Sequence, residues 1–316
     1  MLDPDAAAVY RAFQEAGRPA YETLTADKAR VYYAQARFAT NPEPPELARV
    51  TPLSIPAPHG VIPTRLYVPK EPRRHDGLSP ALVFFHGGGW VIGDLDSHDV
   101  VCRQLAVEGA LIVISVDYRL APEHKFPAAI EDAIAATQWI AANARELGID
   151  ASRLSIGGDS AGGNLTAVVA LAAREAGGPA LAGQVLIYPA TDFAMTHGSH
   201  SEPETSVLLT HSVICWFRDH YLNGAADIHD WRASPARAQN LAGLAARLCA
   251  DRRRRSAARR RRRLCRAPQT GRRIGHDQAL SRPIPWLLHD GQVVAAGQCR
   301  RRRDRRMVEG IGMTVA

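Results

Sequence analysis

The 316-residue chain is short of several things, and each shortage removes a class of protein. No apolar run reaches the roughly 18 residues that cross a bilayer, so no membrane span is expected. The opening Met1-Leu2-Asp3-Pro4-Asp5 lacks the basic and apolar regions of a secretory signal, and a cytoplasmic location is expected. Cysteine is scarce and odd in number. Cys102, Cys215, Cys249, Cys265 and Cys299 show no metal-ligand spacing and suit a reducing compartment. Lysine is missing from the last part of the chain. Residues 245–316 hold 20 arginines, no lysine and 5 acidic side chains, a net of +15. The other 244 residues keep 19 of the 39 basic groups and 27 of the 32 acidic ones, a net of −8. The basic balance therefore belongs to the tail, and the body has the charge of an ordinary acidic soluble protein.

What is present centres on Ile156-Gly157-Gly158-Asp159-Ser160-Ala161-Gly162-Gly163-Asn164. A β-type run, Arg153 to Ile156, precedes it, and an alanine-rich helical run, Leu165 to Ala173, follows it. Strand, tight turn and helix are the setting of a Gly-x-Ser-x-Gly nucleophile elbow. Gly158 and Gly162 flank Ser160 where a β-carbon would clash with the neighbouring strand and helix. The helix N-terminus then offers backbone N–H groups to an oxyanion formed when Ser160 attacks a carbonyl. A glycine-rich turn with an idle serine is the competing reading.

Upstream, Phe84-Phe85-His86-Gly87-Gly88-Gly89-Trp90 ends an apolar run that begins at Ala81. Three glycines in succession expose backbone N–H groups, as in the HGGG-type oxyanion loop that accompanies the elbow in esterases and lipases. A phosphate-binding loop is disfavoured, since no Gly-Lys-Ser/Thr follows. His86 is either a general base or a loop-ordering side chain. The second is preferred, because where such an elbow carries the nucleophile the partner histidine follows the serine in the chain.

Together with Asp117-Tyr118-Arg119-Leu120-Ala121-Pro122-Glu123 and Phe126-Pro127-Ala128-Ala129, these motifs resemble the hormone-sensitive-lipase-like family of α/β-hydrolase carboxylesterases over about residues 1–244. The resemblance implies hydrolysis of short- to medium-chain esters of small molecules by a Ser-His-Asp triad, with no cofactor. It makes Ser160 the nucleophile and the amides of Gly88, Gly89 and Ala161 the oxyanion hole, with His86, Gly87 and Asp159 in support. It implies an α/β fold, a mostly parallel doubly wound sheet under a small helical cap. Residues 1–46 and 196–232 would form the cap and 47–244 the core. Oligomeric state is left open.

The patterning agrees with that division. Helical spacing covers residues 5–16 and 24–37, the second with Ala29, Tyr32, Tyr33 and Ala36 on one face and a start at Thr25. Strands are expected at 48–55, 61–68, 80–85, 111–116 and 181–187, and helices through Val101-Cys102-Leu105 and from Pro127 to Leu147. Asp117 and Arg119 read as loop-ordering salt-bridge partners. Residues 204–222, rich in aromatics, either line an acyl pocket or simply pack the cap.

After Leu244 the family pattern calls for more strands, an acid loop and a His-Gly-Phe loop; arginine runs stand there instead. Arginine codons of the CGN type, read one nucleotide later, encode Ala, Gly, Val, Asp or Glu. Read that way, the stretch around Arg255 permits Asp-Pro-Leu-Arg-Asp-Glu-Gly, and Pro285-Trp286-Leu287-Leu288-His289-Asp290-Gly291 permits His-Gly-Phe-Phe-Thr-Met-Gly. Both family motifs fall in one frame and in the right order. The expectation is a one-nucleotide frameshift near Leu244, missing or disordered C-terminal strands, and impaired activity. His276-Asp277 and His289-Asp290 are poor substitutes for the triad partners. Polyanion or nucleic-acid binding by the arginines, and an inert hydrolase-fold binding protein, are the alternatives.

Overall fold

The computed structural model describes residues 15, 17, 19–195 and 209–250. Its centre is built from strands with almost no polar face. β3 (Ser79–Phe85), β4 (Ile112–Val116) and β6 (Gly183–Ile187) are buried at every position, as strands covered on both faces must be. With β5 (Ile149–Asp159) and β7 (Ala246–Ala250) they form five parallel strands. β1 (Arg49–Ala57) and β2 (Gly60–Val68) add an antiparallel hairpin, giving the order β1-β2-β4-β3-β5-β6-β7. Pro52 and Pro56 lack a donor N–H, and β1 tolerates them because it is an edge strand.

Alternation along β3 assigns the layers. Leu82 and Phe84 face α2 (Asp99–Gly109), where Val101, Cys102, Leu105 and Ala106 complete one apolar cluster. Ala81, Val83 and Phe85 face the other way, into the larger cluster with α3 (Ala128–Ala142) and α4 (Ala161–Glu175). Helices thus cover both faces of a mostly parallel sheet. α1 (Ala26–Thr40) starts after Thr25 and buries Ala29, Tyr33 and Ala36. α5 (His211–Tyr221) meets the segment before α1 through Tyr21–Phe217 ring contact at 6.3 Å and a Ser212–Glu22 hydrogen bond of 2.6 Å.

The structure departs from the sequence reading at several points. α3 stops at Ala142, where Asn143 Nδ2 donates to Trp139 O at 2.8 Å and turns follow, so the apolar residues Ala144 and Leu147 belong to no helix. β7 lies beyond the expected core limit at 244. It pairs with β6 from Gly183↔Ala246 to Ile187↔Ala250, so the parallel sheet gains a strand. A five-residue strand needs backbone pairing more than a pattern, and its side chains carried none. Cys102 and Cys215 are free, whereas Cys249 is disulfide-bonded, which the expectation of a reducing compartment did not include. Among the described residues no helix is long and apolar enough to cross a membrane. The first expected helix, residues 196–208 and everything after Ala250 lie outside the described residues, except for isolated residues 15 and 17.

Candidate active site

Ser160 is the junction between β5 and α4, with φ 52° and ψ −111°, a backbone state that L-residues adopt at a cost. Three main-chain bonds hold it there. Its N–H donates to Ile187 O at 2.9 Å, and its carbonyl accepts from Asn164 N at 3.0 Å and Ala190 N at 3.1 Å. Gly162 is required by packing, because a β-carbon would run into the Phe85 carbonyl at the end of β3. Asn164, the last residue of the motif, donates through Nδ2 to Ala190 O at 2.7 Å and Ala233 O at 2.8 Å. It ties the elbow helix to the loops that follow β6 and α5.

The glycine loop leaves β3 beside this turn. Gly88, Gly89 and Trp90 all have positive φ. The Gly88 carbonyl accepts from Val91 N at 3.1 Å and Ile92 N at 2.9 Å, which closes a tight turn. The amides of Gly88, Gly89 and Ala161 donate to no acceptor among the described residues. Gly89 lies directly under the Phe217 ring of α5, in the space a β-carbon would fill. Trp90 stacks on Tyr221 with centroids 4.5 Å apart and rings 7° from parallel.

One carboxylate joins the two loops. Asp159 Oδ1 accepts from Gly87 N at 2.8 Å, so the residue before Ser160 grips the first glycine of the loop. His98 Nε2 lies 3.6 Å from the same oxygen, and both side chains are buried. Tyr188 donates to Asp159 Oδ2 at 3.5 Å. His98 and Tyr188 sit outside any motif, and sequence reasoning missed them. His86 is fully buried, stacks on Tyr118 at 4.3 Å and donates from Nδ1 to Gly87 O at 2.8 Å. Burial, and then the nearby His98, push its imidazole down to about 4, so the ring is neutral at pH 7. It forms no hydrogen bond with Ser160.

The two charges of the Asp117-Tyr118-Arg119 motif behave differently. Arg119 clamps Asp132 of α3 with Nε and Nη2, at 2.9–3.0 Å, as a loop-ordering pair should. Asp117 forms no ion pair among the described residues. Burial, helped by repulsion from Asp94, pushes it up to about 6. Among the described residues no side chain hydrogen-bonds the Ser160 hydroxyl, and none of them forms a His/Cys/Asp/Glu cluster able to hold a metal. The pairs His276-Asp277 and His289-Asp290 lie outside the described residues.

With this geometry in hand, a family model described as an alpha/beta hydrolase fold matches residues 82–265. Esterase LipI of Mycobacterium tuberculosis is 48% identical over 206 residues, covering 64% of this chain and 63% of that protein. An ethyl acetate hydrolase of Pseudomonas putida is 40% identical over 244 residues, 74% of this chain and 75% of that one. A solved ester hydrolase from the metagenome of Lake Arreo, complexed with a derivative of bipyridine phosphonate, superposes with a TM-score of 0.73. It is 40% identical and covers 78% of this chain and 79% of its own. The chain spans between about half and two-thirds of the length of the mycobacterial esterases it matches.

Proposed function

The chain belongs to the alpha/beta hydrolase fold family, and from that premise we propose that it is a serine carboxylesterase for short- to medium-chain esters of small molecules. One observation carries the reading. A positive-φ serine at a helix N-terminus is tied, through the adjacent Asp159, to a glycine loop whose Gly88 and Gly89 amides have no acceptor among the described residues. On this reading Ser160 Oγ attacks the ester carbonyl carbon and the carbonyl electrons move onto oxygen. That oxyanion accepts hydrogen bonds from the amides of Gly88, Gly89 and Ala161. The Ser160 proton passes to solvent, the tetrahedral adduct collapses with cleavage of the ester C–O bond, and the alkoxide takes up a proton and leaves as the alcohol. Water then adds to the acyl-serine, the acid departs and Oγ regains its proton. Gly87, His86 and Asp159 hold the loop in register, and the scheme calls for no cofactor. Likeness to an ethyl acetate hydrolase supports small acyl and alcohol groups.

The cap assignment, with residues 1–46 and 196–232 over the core, stays part of the proposal and is supported by the contact of α5 with Tyr21 and Glu22. So does the weakness of the chain as written. Without a histidine to take the Ser160 proton and an acid to orient it, turnover falls by about 10⁴-fold, and the oxyanion hole leaves a residue. A Ser160 hydroxyl with no side-chain partner among the described residues favours a second reading, an inert hydrolase fold that binds without cleaving.

Fluorophosphonate labelling decides between them. A folded chain labelled at Ser160, with labelling lost in Ser160→Ala, supports the esterase; a folded chain left unlabelled supports the inert reading.

A further inference from the structure

Arg30, in the second turn of α1, has five N–H groups, and each has an acceptor. Nε donates to Val91 O at 2.9 Å, and Nη2 to Ala121 O at 2.9 Å and Glu123 Oε2 at 2.6 Å. Nη1 donates to Glu123 Oε1 at 2.9 Å and Asp27 Oδ1 at 3.2 Å. Two of these acceptors are main-chain carbonyls of loops that meet at the site. Val91 closes the glycine turn, since its N–H goes to Gly88 O. Ala121 belongs to the loop after β4, and its N–H donates to Trp90 O at 2.8 Å. One guanidinium therefore fastens both strands of a small main-chain frame around Gly88, Gly89 and Trp90. Two helical turns further along α1, Arg37 Nε donates to Ser97 O at 3.0 Å, on the continuation of the same loop.

We propose that Arg30 is a positioning residue that holds the glycine loop in its donating geometry from the N-terminal helix, so that α1 completes the oxyanion site as well as covering it. The proposal rests on Gly88 and Gly89 being the oxyanion donors. Its logic is geometric. The Glu123 side chain is half exposed, so charge attraction alone is screened and weak. The carbonyl bonds are directional, and a planar guanidinium can serve two carbonyls and a carboxylate at once. An ammonium, with three donors at one point, can serve some of these acceptors and not all. Glu123 in turn aims the fork by binding it at both ends.

The test uses the full chain and Arg30→Met, Arg30→Lys and Glu123→Gln. Hydrogen exchange is followed in residues 86–93, with β4, residues 112–116, as the internal control. Activity is read as kcat and KM on p-nitrophenyl acetate, or as the rate of Ser160 fluorophosphonylation where turnover is at background. Arg30→Met is expected to speed exchange in 86–93 by at least about tenfold and leave 112–116 unchanged. It should lower kcat or labelling rate by about ten- to a hundredfold with KM within about threefold, because misplacing a donor costs rate rather than binding. Arg30→Lys should recover part of both effects, and Glu123→Gln should lie between Lys and the parent. Unchanged exchange in 86–93 overturns the proposal. So does equal acceleration in 112–116, which would mark a merely structural role, or an effect confined to KM. If the parent neither hydrolyses ester nor takes label, the serine-esterase reading fails on its own, and loop exchange still decides for or against Arg30.

Discussion

At the scale of single residues, backbone and charge are set against stability in two places. Ser160 at φ 52° stores about 1–3 kcal/mol of backbone strain. Ser160→Ala removes the hydroxyl and keeps the strain, whereas Ser160→Gly removes both and gives back some chain entropy. Ser160→Gly should therefore be more stable than Ser160→Ala by about 1 kcal/mol, read as denaturant midpoints at equal m. A reversed order would mean the elbow is relaxed. The second place is Asp117. Its carboxyl titrates at about 6 in the folded chain, above its ordinary value of 3.8, chiefly because it is buried. The folded state then binds more protons than the unfolded one between these values. Stability is highest at the acid end of that window and falls as pH rises through 6. Asp117→Asn should remove that slope and stabilise the protein at pH 7.5 by about 1–2 kcal/mol, after discounting for partial solvent screening. Urea titrations at pH 5 and 7.5 test it; no gain at pH 7.5 would show that Asp117 has a partner in solution.

At the scale of elements, α5 shows how little holds a cap helix. Thr210 supplies its N-cap, accepting from Val213 N at 3.2 Å, and the apolar residues Val213, Phe217 and Tyr221 lie on one buried face. Thr210→Ala should cost about 1 kcal/mol. It should show first as faster exchange of the Val213 and Ile214 amides, with β3 unaffected; uniform change would place the helix inside the core's cooperative unit. The elements most legible in the sequence were those that combine period with punctuation. β1 and β2 are joined across the turn before Gly60, α1 begins after Thr25, and the elbow carries its own glycines. The apolar period runs on through Ala144 and Leu147 past the end of α3, and period does not report the Asn143 cap. Of the site, the motif residues were legible because small side chains at close approaches leave a pattern. Arg30, His98 and Tyr188 were not, since each acts across a long sequence separation on main chain or on a single carboxylate. The charge of Asp117 points to a salt-bridge partner, and burial, which decides its state, is a tertiary property.

At the scale of the whole molecule, charge and chemistry divide at the same place. Residues 1–244 carry a net of −8 and every motif that the site uses, while residues 245–316 carry +15 and none. A basic tail selected to bind polyanions would have no reason to encode, one nucleotide out of register, an acid loop and a His-Gly-Phe loop in the order an esterase needs. A shifted reading frame accounts for the arginines, the missing lysines and the hidden motifs together. It also accounts for a site whose serine has no partner among the described residues. We propose that the gene carries a one-nucleotide gain or loss near codon 244. Resequencing codons 238–316 and expressing both frames tests this. The restored chain should hydrolyse p-nitrophenyl acetate about 10⁴-fold faster than the chain as written, since a complete triad replaces an oxyanion hole acting alone. Its isoelectric point should fall from about 9.4 to the acid side, because the surplus of arginine goes with the frame. Equal and robust turnover in both frames would instead show that a base within the arginine-rich segment serves Ser160, and the frame would then be the wrong explanation of the tail.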